Sequence, residues 1–321
     1  MKNSVIYYSV GALLYCPANN KGISNSIINQ KFGNKFSLAL CLEDTIQDNC
    51  VAEAENILID SIQKIYDARL ENDFFIPKIF IRIRHSSQIK SLFKRLGAAS
   101  ELISGFIFPK FTPYNADRYI DELIRVNSKR TAPLYMMPIL EHFSIISLTQ
   151  RYDILQAVKN KLDETEALVL NIRVGGNDLC HRFGFRRSCS ESIHSIKPIS
   201  AIFSDIVTTF AEDYIVSAPV WEYYGGPGWD TGLKNEIHED RLCGFIGKTV
   251  IHPKQISIVN SEYAVYQKDL DNALSILNWD KDSHSLVSGS ISGERMDEFK
   301  THSNWALKTL MLSKVFGTKP D

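Results

Sequence analysis

Acidic and basic side chains recur where short apolar runs of the sequence end. Such residues follow or close five successive runs: Glu43, Asp44, Arg82, Arg84, Lys110, Glu141 and Asp178. Carboxylates from neighbouring strands, together with water, form the oxygen-only site that magnesium prefers. We therefore take Glu141 and Asp178 as candidate ligands of a magnesium ion.

A magnesium ion held in this way predicts a defined chemistry. The ion would bind the adjacent carbonyl and carboxylate oxygens of a 2-oxo acid and stabilise an enolate while a carbon–carbon bond forms or breaks. Arg82 would add positive charge at the same oxygens, with a planar fork of donors that lysine lacks. Taken singly, any of these residues is as readily a salt bridge at the rim of a fold. Their occurrence at the same end of successive runs favours a shared site.

The apolar runs must be neighbouring parallel strands if these residues are to meet. Each run is rich in β-branched and aromatic residues and is followed by turn residues and a stretch with helical spacing. Runs too apolar to be half-solvated predict parallel strands covered by helices. Eight runs predict a TIM (β/α)8 barrel, whose reactive groups lie at the carboxyl ends of the strands. The runs are Ser4–Tyr8 or Ala12–Tyr15, Ser37–Leu42, Ile79–Ile83, Leu102–Phe108, Leu134–Leu140, Leu168–Val174, Tyr214–Val220 and Phe245–Ile251.

The rest of the pattern supports a barrel with an extension. An open doubly wound sheet would need a glycine-rich phosphate turn, whereas the first runs are followed by CPANNKG and EDTIQDN. Residues 1–260 are predicted to form the barrel and residues 261–321 a C-terminal helical extension. Within that extension we expect helices at Ser261–Leu277 and Asp297–Phe316 around a polar loop at 280–295. The helices predicted within the barrel are Cys50–Leu70, Ser87–Leu96, Asn115–Val126, Ile145–Leu162, Ile199–Ala211 and Gly232–Asp240.

Composition excludes several classes of protein. The 321 residues include 36 Lys+Arg and 37 Asp+Glu, a net charge of −1, which gives no overall attraction to nucleic acid or an anionic membrane. The six cysteines form no C-x-x-C pair, which favours cytosolic thiols over a zinc knuckle or a disulfide framework. No segment approaches the roughly 20 apolar residues of a membrane span. We therefore expect a soluble, cytoplasmic protein.

The sequence resembles the citrate lyase beta subunit and its relatives in the HpcH/HpaI aldolase superfamily. Among relatives, it is most similar to a divergent branch associated with bacterial tellurium-resistance genes. The most specific match is GFIGKTVIHPKQI, which corresponds to the family's eighth-strand signature. The other matching pieces, in family order, are LLYCPANN, ALCLEDTI, IFIRIR, ISGFIFPK, MPILE, VGGNDL followed by FGFRR, and GERMDEF.

The resemblance implies a magnesium-dependent carbon–carbon lyase on a TIM barrel. Such enzymes often form trimers or hexamers and commonly act on acyl-CoA or acyl-carrier thioesters. By the resemblance, Glu141 and Asp178 bind the metal, and Arg82 binds the oxo-acid end of the substrate. Glu43 and Asp44 correspond to the acidic pair that orients the metal's waters and the arginine.

The resemblance extends to two further residues. Lys110 matches the family's Pro-Lys at the fourth strand and is predicted to bind substrate. Asp297 resembles a C-terminal aspartate that, in some relatives, enters the neighbouring subunit's site as an acid or base.

Two departures from the family keep alternatives open. The family's usual Arg-Ser pair before the first strand is Gly11 and Ala12 here, and its asparagine after the third-strand arginine is Arg84. The pocket therefore differs in detail from that of citrate lyase. Arg84, together with Arg186 and Arg187 of the basic run after the sixth strand, is predicted to bind substrate. This cluster suits a phosphate of a CoA-like molecule, or a phosphorylated sugar or nucleotide. A barrel that has lost catalysis and serves as a binding or scaffold subunit is the other alternative.

Overall fold

Eight parallel strands form the central sheet, which confirms the predicted TIM barrel. The computed structural model describes residues 2–280 and 284–321. Neighbouring strands follow chain order from β1 to β7, β8 pairs with β1, and a backbone bridge between Ala218 and Lys248 joins the two ends of the sheet. The strands are β1 Ala12–Pro17, β2 Ser37–Cys41, β3 Lys78–Arg82, β4 Ile103–Phe108, β5 Tyr135–Leu140, β6 Ile172–Val174, β7 Val216–Ser217 and β8 Lys248–Val250.

Helices cover the outside of the barrel. They are α1 Val5–Tyr8, α2 Ile23–Ile28, α3 Val51–Glu71, α4 Ser87–Leu96, α5 Ala116–Asn127, α6 Leu148–Asp163, α7 Gly176–Phe183, α8 Lys197–Phe210, α9 Trp229–Leu242, α10 Lys254–Tyr263, α11 Gln267–Leu277 and α12 Phe299–Phe316. Their buried faces follow helical spacing; in α5, for example, Tyr119, Leu123 and Val126 face inward. None of the helices within the described residues combines the length and apolar composition that a membrane crossing requires.

Alternating side chains divide the strands between two apolar layers. One face of each strand packs against the helices, and the other fills the barrel interior. The interior layer includes the side chains of Leu13, Ala39, Phe80, Ile107, Met137, Ile139 and Leu170. This layer is a solid floor beneath the carboxyl ends of the strands, so polar side chains at those ends are held on a packed base.

The structure decides between the two N-terminal strand candidates and differs from the sequence prediction in the tail. Of the two candidates for the first strand, Ala12–Pro17 is the strand, whereas Val5–Tyr8 is a short helix. In the tail, the predicted helix 261–277 is divided into α10 and α11 by a two-residue strand, β9 Val265–Tyr266, which pairs with β12 Thr318–Lys319 at the C-terminus. The division into domains at residue 260 stays a prediction.

The predicted polar loop at 280–295 contains part of a hairpin. Residues 281–283 of this loop lie outside the described residues. Beyond them, β10 Val287–Gly289 pairs antiparallel with β11 Met296–Glu298. The final helix therefore begins at Phe299, two residues after its predicted start.

A buried ion cluster fixes α9 to the outer side of β8. Lys248 Nζ lies 3.0 Å from Glu236 Oε1 and 2.7 Å from Asp240 Oδ2, and all three side chains are fully buried. Arg187 donates to Glu236 over 3.0 Å, and His194 Nε2 lies 2.7 Å from Asp240 Oδ1. Glu236 and Asp240 are one helical turn apart and thus share a face of α9. The specific GKTVIHPKQI signature therefore includes a lysine whose contacts are those of a structural residue.

Replacing Lys248 by methionine should destabilise the fold strongly. Removing one partner of a buried ion cluster leaves its carboxylates poorly compensated, at a cost of about 3–5 kcal/mol in the free energy of unfolding. Urea denaturation monitored by circular dichroism would measure the change. Lys161→Met is the matched control, because Lys161 pairs with Asp117 at the surface and its removal should change little. Equal effects of the two substitutions would contradict a structural role for the cluster.

Candidate active site

Charged side chains from five consecutive strands meet at the carboxyl end of the barrel. Glu43 follows β2, Arg82 closes β3, Lys110 follows β4, Glu141 follows β5, and Asp178 lies shortly after β6. Salt bridges connect all five, either directly or through a shared partner. Because parallel strands bring their carboxyl ends to one rim, a set dispersed over more than 130 positions of sequence becomes one cluster.

Arg82 is the hub of this cluster. Its Nη2 lies 2.6 Å from Glu43 Oε2, 2.9 Å from Asp44 Oδ2 and 3.2 Å from Glu141 Oε1. Burial opposes the charge of the guanidinium, but the surrounding acidic groups, Glu141 foremost, raise the pKa of Arg82 above its ordinary value. Arg82 therefore stays charged and holds three carboxylates on one side of the barrel mouth.

Lys110 connects the acidic pair after β2 with Glu141 and Asp178. Its Nζ lies 2.5 Å from Glu43 Oε1, 3.0 Å from Asp44 Oδ1 and 3.9 Å from Asp178 Oδ1. Its backbone N–H donates to Glu141 Oε1 over 3.0 Å. Lys110 adopts a φ of 49°, a left-handed conformation that is costly for a residue with a side chain and is concentrated at functional sites. In this conformation, the backbone amide of Lys110 reaches Glu141 while its ammonium group reaches Glu43 and Asp44.

The acidic pair after β2 has two different environments. Burial is the largest influence on Glu43, and with the neighbouring Asp44 it raises the pKa of that carboxyl. Burial also acts on Asp44, but hydrogen bonding to Glu43 and the charges of Arg82 and Lys110 prevail and lower the pKa of Asp44 to about 2. Asp44 is thus the firmly ionised member of the pair.

Glu141 is the most deeply placed carboxylate of the cluster, with 5% of its surface exposed. Burial above all, with the charge of Asp178, raises the pKa of Glu141 to about 8, against the opposing effect of Arg82 and Lys110. Gly175 makes room for this side chain: a Cβ at that position would lie 2.1 Å from Glu141 Oε2. The first glycine of the Gly-Gly pair after β6 is therefore needed to leave space for the Glu141 side chain.

Asp178 lies in the first turn of α7. Its side chain is 35% exposed and faces the same pocket as Glu141. The two candidate ligands thus lie on one rim, on consecutive strand-to-helix connections. Asp178 is more exposed than Glu141, so water reaches the cluster from the side of Asp178.

The chemistry of the cluster fits a magnesium ion. Four carboxylates, those of Glu43, Asp44, Glu141 and Asp178, are balanced within the cluster by two cations, Arg82 and Lys110. With all four carboxylates ionised the cluster has a formal charge of −2, which a divalent cation would neutralise. No group of three or more His, Cys, Asp or Glu side chains in residues 2–280 and 284–321 is arranged to hold a metal ion. Magnesium commonly binds through one or two carboxylates and keeps several waters, so Glu141 and Asp178 suffice.

A pocket of about 310 Å³ opens beside the cluster. This volume suits a small organic acid. Its walls include five polar residues that were not predicted from the sequence, namely Tyr15, Thr45, Arg173, Asn177 and Thr249. A signal for Arg173 was present, since it is the one charged residue within the apolar run Leu168–Val174.

Arg84 is not brought to the pocket as a free substrate-binding group. Its guanidinium donates to the backbone oxygens of Leu42 over 2.6 Å and Glu43 over 3.0 Å, and also binds Ile46 and Asp48. These contacts hold the turn that carries Glu43 and Asp44. The geometry gives Arg84 a supporting place behind the acidic pair.

Three other predicted residues also lie away from the pocket. Arg187 belongs to the buried cluster at α9, and Arg186 is 80% exposed, with Glu222 at 3.8 Å. Asp297 is buried in the tail, where Oδ1 accepts a hydrogen bond from Asn272 over 3.1 Å. Its predicted entry into a neighbouring subunit stays a prediction. The geometry thus gathers Glu43, Asp44, Arg82, Lys110, Glu141 and Asp178 at one site, and leaves the other candidates elsewhere.

A protein-family comparison decides the family of the chain. The family described as C–C bond lyase of the TIM-barrel fold matches residues 4–318. The chain belongs to this family. The match spans the barrel and the tail together, and agrees with the resemblance to the HpcH/HpaI superfamily.

Solved structures share the fold of this C–C bond lyase. CitE from Mycobacterium tuberculosis, in complex with magnesium, acetoacetate and coenzyme A, is 15% identical with a TM-score of 0.63, over 96% of this chain and 99% of that chain. A citrate lyase from Burkholderia xenovorans LB400 is 14% identical with a TM-score of 0.70, over 97% and 94% of the respective chains. RipC from Yersinia pestis is 15% identical with a TM-score of 0.52, over 80% and 95%. A comparison with curated proteins found no match.

Replacing Gly175 by alanine should displace the Glu141 carboxylate. The new Cβ would lie 2.1 Å from Oε2 and 2.4 Å from the Cβ of Glu141, so the side chain must move. We expect magnesium affinity, measured by isothermal titration calorimetry, to fall about tenfold or more. Gly225→Ala is the control, because a Cβ there meets no atom within 4 Å. Unchanged affinity in Gly175→Ala would remove Glu141 from the metal site.

Proposed function

We propose that this C–C bond lyase is magnesium-dependent and acts on a 2-oxo acid through its enolate. The observation that supports this most directly is the convergence of Glu141, Asp178 and Arg82 at one pocket, with an excess of two negative charges in the cluster around them. A bound magnesium ion would act as a Lewis acid on the adjacent carbonyl and carboxylate oxygens of a 2-oxo acid. Magnesium and a 2-oxo acid occur together in a protein of the same fold, since CitE from Mycobacterium tuberculosis was crystallised in complex with magnesium and pyruvate.

The chain's own residues would divide the work at this site. Glu141 and Asp178 hold the ion and set its position against the pocket. Arg82 places its charge beside the substrate oxygens, where negative charge increases as the carbon–carbon bond breaks and its electron pair passes to the 2-oxo acid fragment. Glu43 and Asp44 fix the orientation of Arg82, and Arg84 in turn fixes their loop. The proton of the other fragment passes to a base that we do not assign.

The substrate, the oligomeric state and the cellular location expected from the sequence are also proposals. Cleavage that leaves the electron pair on the 2-oxo acid releases the other fragment as an aldehyde or ketone, once its hydroxyl has lost a proton. With an acyl thioester of the CoA type as the alternative substrate, the electron pair passes instead to the thioester as its enolate, and the 2-oxo acid is released as the carbonyl product. The homo-oligomer, a trimer or hexamer, and the cytoplasmic location are also retained as predictions. The scaffold alternative predicts no magnesium uptake and no chemistry at this pocket, and is tested by the same experiment.

Enolate formation can be measured without knowledge of the physiological substrate. In deuterium oxide, an enzyme that forms the enolate of pyruvate or 2-oxobutyrate exchanges the protons next to the carbonyl for deuterium, which proton NMR detects. We expect exchange above the protein-free rate that requires magnesium and is removed by a chelator. Glu141→Gln and Asp178→Asn should each lower the exchange rate about 100-fold or more, because each removes one ligand of the magnesium ion that would stabilise the enolate.

The control for this experiment is Asp153→Asn, which changes an exposed carboxylate on α6 and should leave the exchange rate as it is. Exchange that survives both ligand substitutions would refute the assignment of the metal site. Absence of exchange with both 2-oxo acids, together with absence of magnesium uptake by calorimetry, would favour the scaffold alternative.

A further inference from the structure

Arg173 lies inside the barrel because of an irregularity in β6. Met136 of β5 is bridged to Val169, whereas Ile139 is paired with Arg173, so the chain before β6 contains one extra residue relative to β5. This bulge turns the following positions to the opposite face. Arg173 consequently shares the interior face with Ile139, whereas an unbroken alternation from Val169 would have directed it to the helices.

The guanidinium of Arg173 has only neutral partners. Its Nη2 donates to Thr249 Oγ1 over 2.6 Å, and Nη1 lies 3.5 Å from Asn171 Oδ1. The phenol of Tyr15 is also in contact, and burial raises the pKa of Tyr15 to about 12, so it is a neutral neighbour. Within the described part of the chain, no carboxylate lies within 4.0 Å of Arg173, and its Nε has no hydrogen-bond partner.

This arrangement differs from that of the other buried cations. Arg82 has three carboxylates around it, and Lys248 has two. Arg173 is as deeply buried, with 2% of its surface exposed, and arginine does not lose its proton in proteins. A buried charge without a counter-charge is strongly unfavourable for the fold. A structural arginine would be expected to have an acidic partner in the protein, so residues 2–280 and 284–321 lack a counter-charge for Arg173.

The missing counter-charge has a place to bind. Arg173 lines the same pocket as Arg82, Glu141 and Asp178, between Tyr15 and Thr249. A molecule whose oxo-acid end lies at Glu141 and Arg82 therefore has a second cationic position within the same cavity. Arg82 and Arg173 are the cations among the described lining residues, so Arg173 offers one positive charge beyond that of Arg82 and matches one further negative charge, as in a carboxylate.

We propose that Arg173 binds a second carboxylate of the substrate, which makes the enzyme selective for 2-oxo dicarboxylic acids. The proposal rests on the proposed function, which supplies the 2-oxo acid. It adds a residue that discriminates between substrates by the charge of a second group. The unpaired guanidinium would penalise a ligand with an apolar end, since such a ligand leaves the charge desolvated and unmatched.

Matched pairs of ligands test this selectivity. Calorimetry in magnesium would give Kd values for three 2-oxo dicarboxylates, namely oxaloacetate, 2-oxoglutarate and 2-oxoadipate. Their monocarboxylate counterparts of equal chain length are 2-oxobutyrate, 2-oxovalerate and 2-oxohexanoate. At least one dicarboxylate should bind tenfold or more tightly than its counterpart. In Arg173→Gln that ratio should fall to near one, whereas Arg173→Lys should retain part of it.

The control variant is Arg118→Gln, which removes an exposed arginine on α5 and should keep the wild-type ratio. The stability of a second variant separates binding from structure. If Arg173 serves a ligand, Arg173→Met removes an unmatched buried charge and the melting temperature of the ligand-free protein should stay equal or rise. A marked fall in melting temperature would show a structural role and overturn the proposal.

Failure of this inference is distinguishable from failure of the proposed function. If 2-oxo acids bind with magnesium but the wild type shows no preference for any dicarboxylate, Arg173 is not a carboxylate site, although the magnesium-dependent function stands. A preference that persists in Arg173→Gln overturns the assignment of the residue. If the wild type takes up no magnesium, the proposed function fails, and a dicarboxylate preference measured without the metal then tests Arg173 on its own.

Discussion

The imbalance of charge at the carboxyl end of the barrel is the constraint on which the rest of the site depends. Four carboxylates stand against two cations in a partly buried cluster, where like charges interact strongly because water is excluded. Burial of Glu141 and the charge of Asp178 raise the pKa of Glu141 to about 8, which expresses the same imbalance. A fold would gain nothing by collecting acidic groups in this way for stability alone. The arrangement has a physical reason if a divalent cation belongs among them.

Contacts with the surrounding residues hold these mutually repelling carboxylates in place. Arg82 binds three of the carboxylates, Lys110 binds the acidic pair through its ammonium group and Glu141 through its amide, and Arg84 holds the turn behind the pair. Below them, the apolar side chains of the barrel interior form an incompressible base. Positions at the strand ends are therefore fixed by the sheet, and the orientation of each side chain by its charged neighbours.

Much of this site was predictable because the geometry of a parallel barrel is regular. Once the apolar runs are read as strands, residues such as Glu43 and Glu141 must meet at one rim, whatever their separation in sequence. Arg173 was not predictable in the same way, since the bulge before it reverses the face that simple alternation assigns. Arg187 was misleading for a different reason: its place in a basic run predicted a substrate-binding group, and only the packing of α9 shows that Arg187 is buried against Glu236. The bounds of the tail depended on the pairing of β9 with β12, a contact between distant residues that local patterns do not contain.

The ion cluster that fastens α9 to β8 also separates two kinds of sequence change. Because Glu236 and Asp240 bind Lys248 through the buried face of α9, the position of the helix against β8 does not depend on the connection at 222–228 alone. That connection contains two glycines with positive φ, Gly226 and Gly228, and is largely exposed. Insertions and deletions there are tolerated more readily than in the strands on either side. A change of length in this connection would therefore leave the helix fastened to the barrel, and with it the base that carries the charged residues.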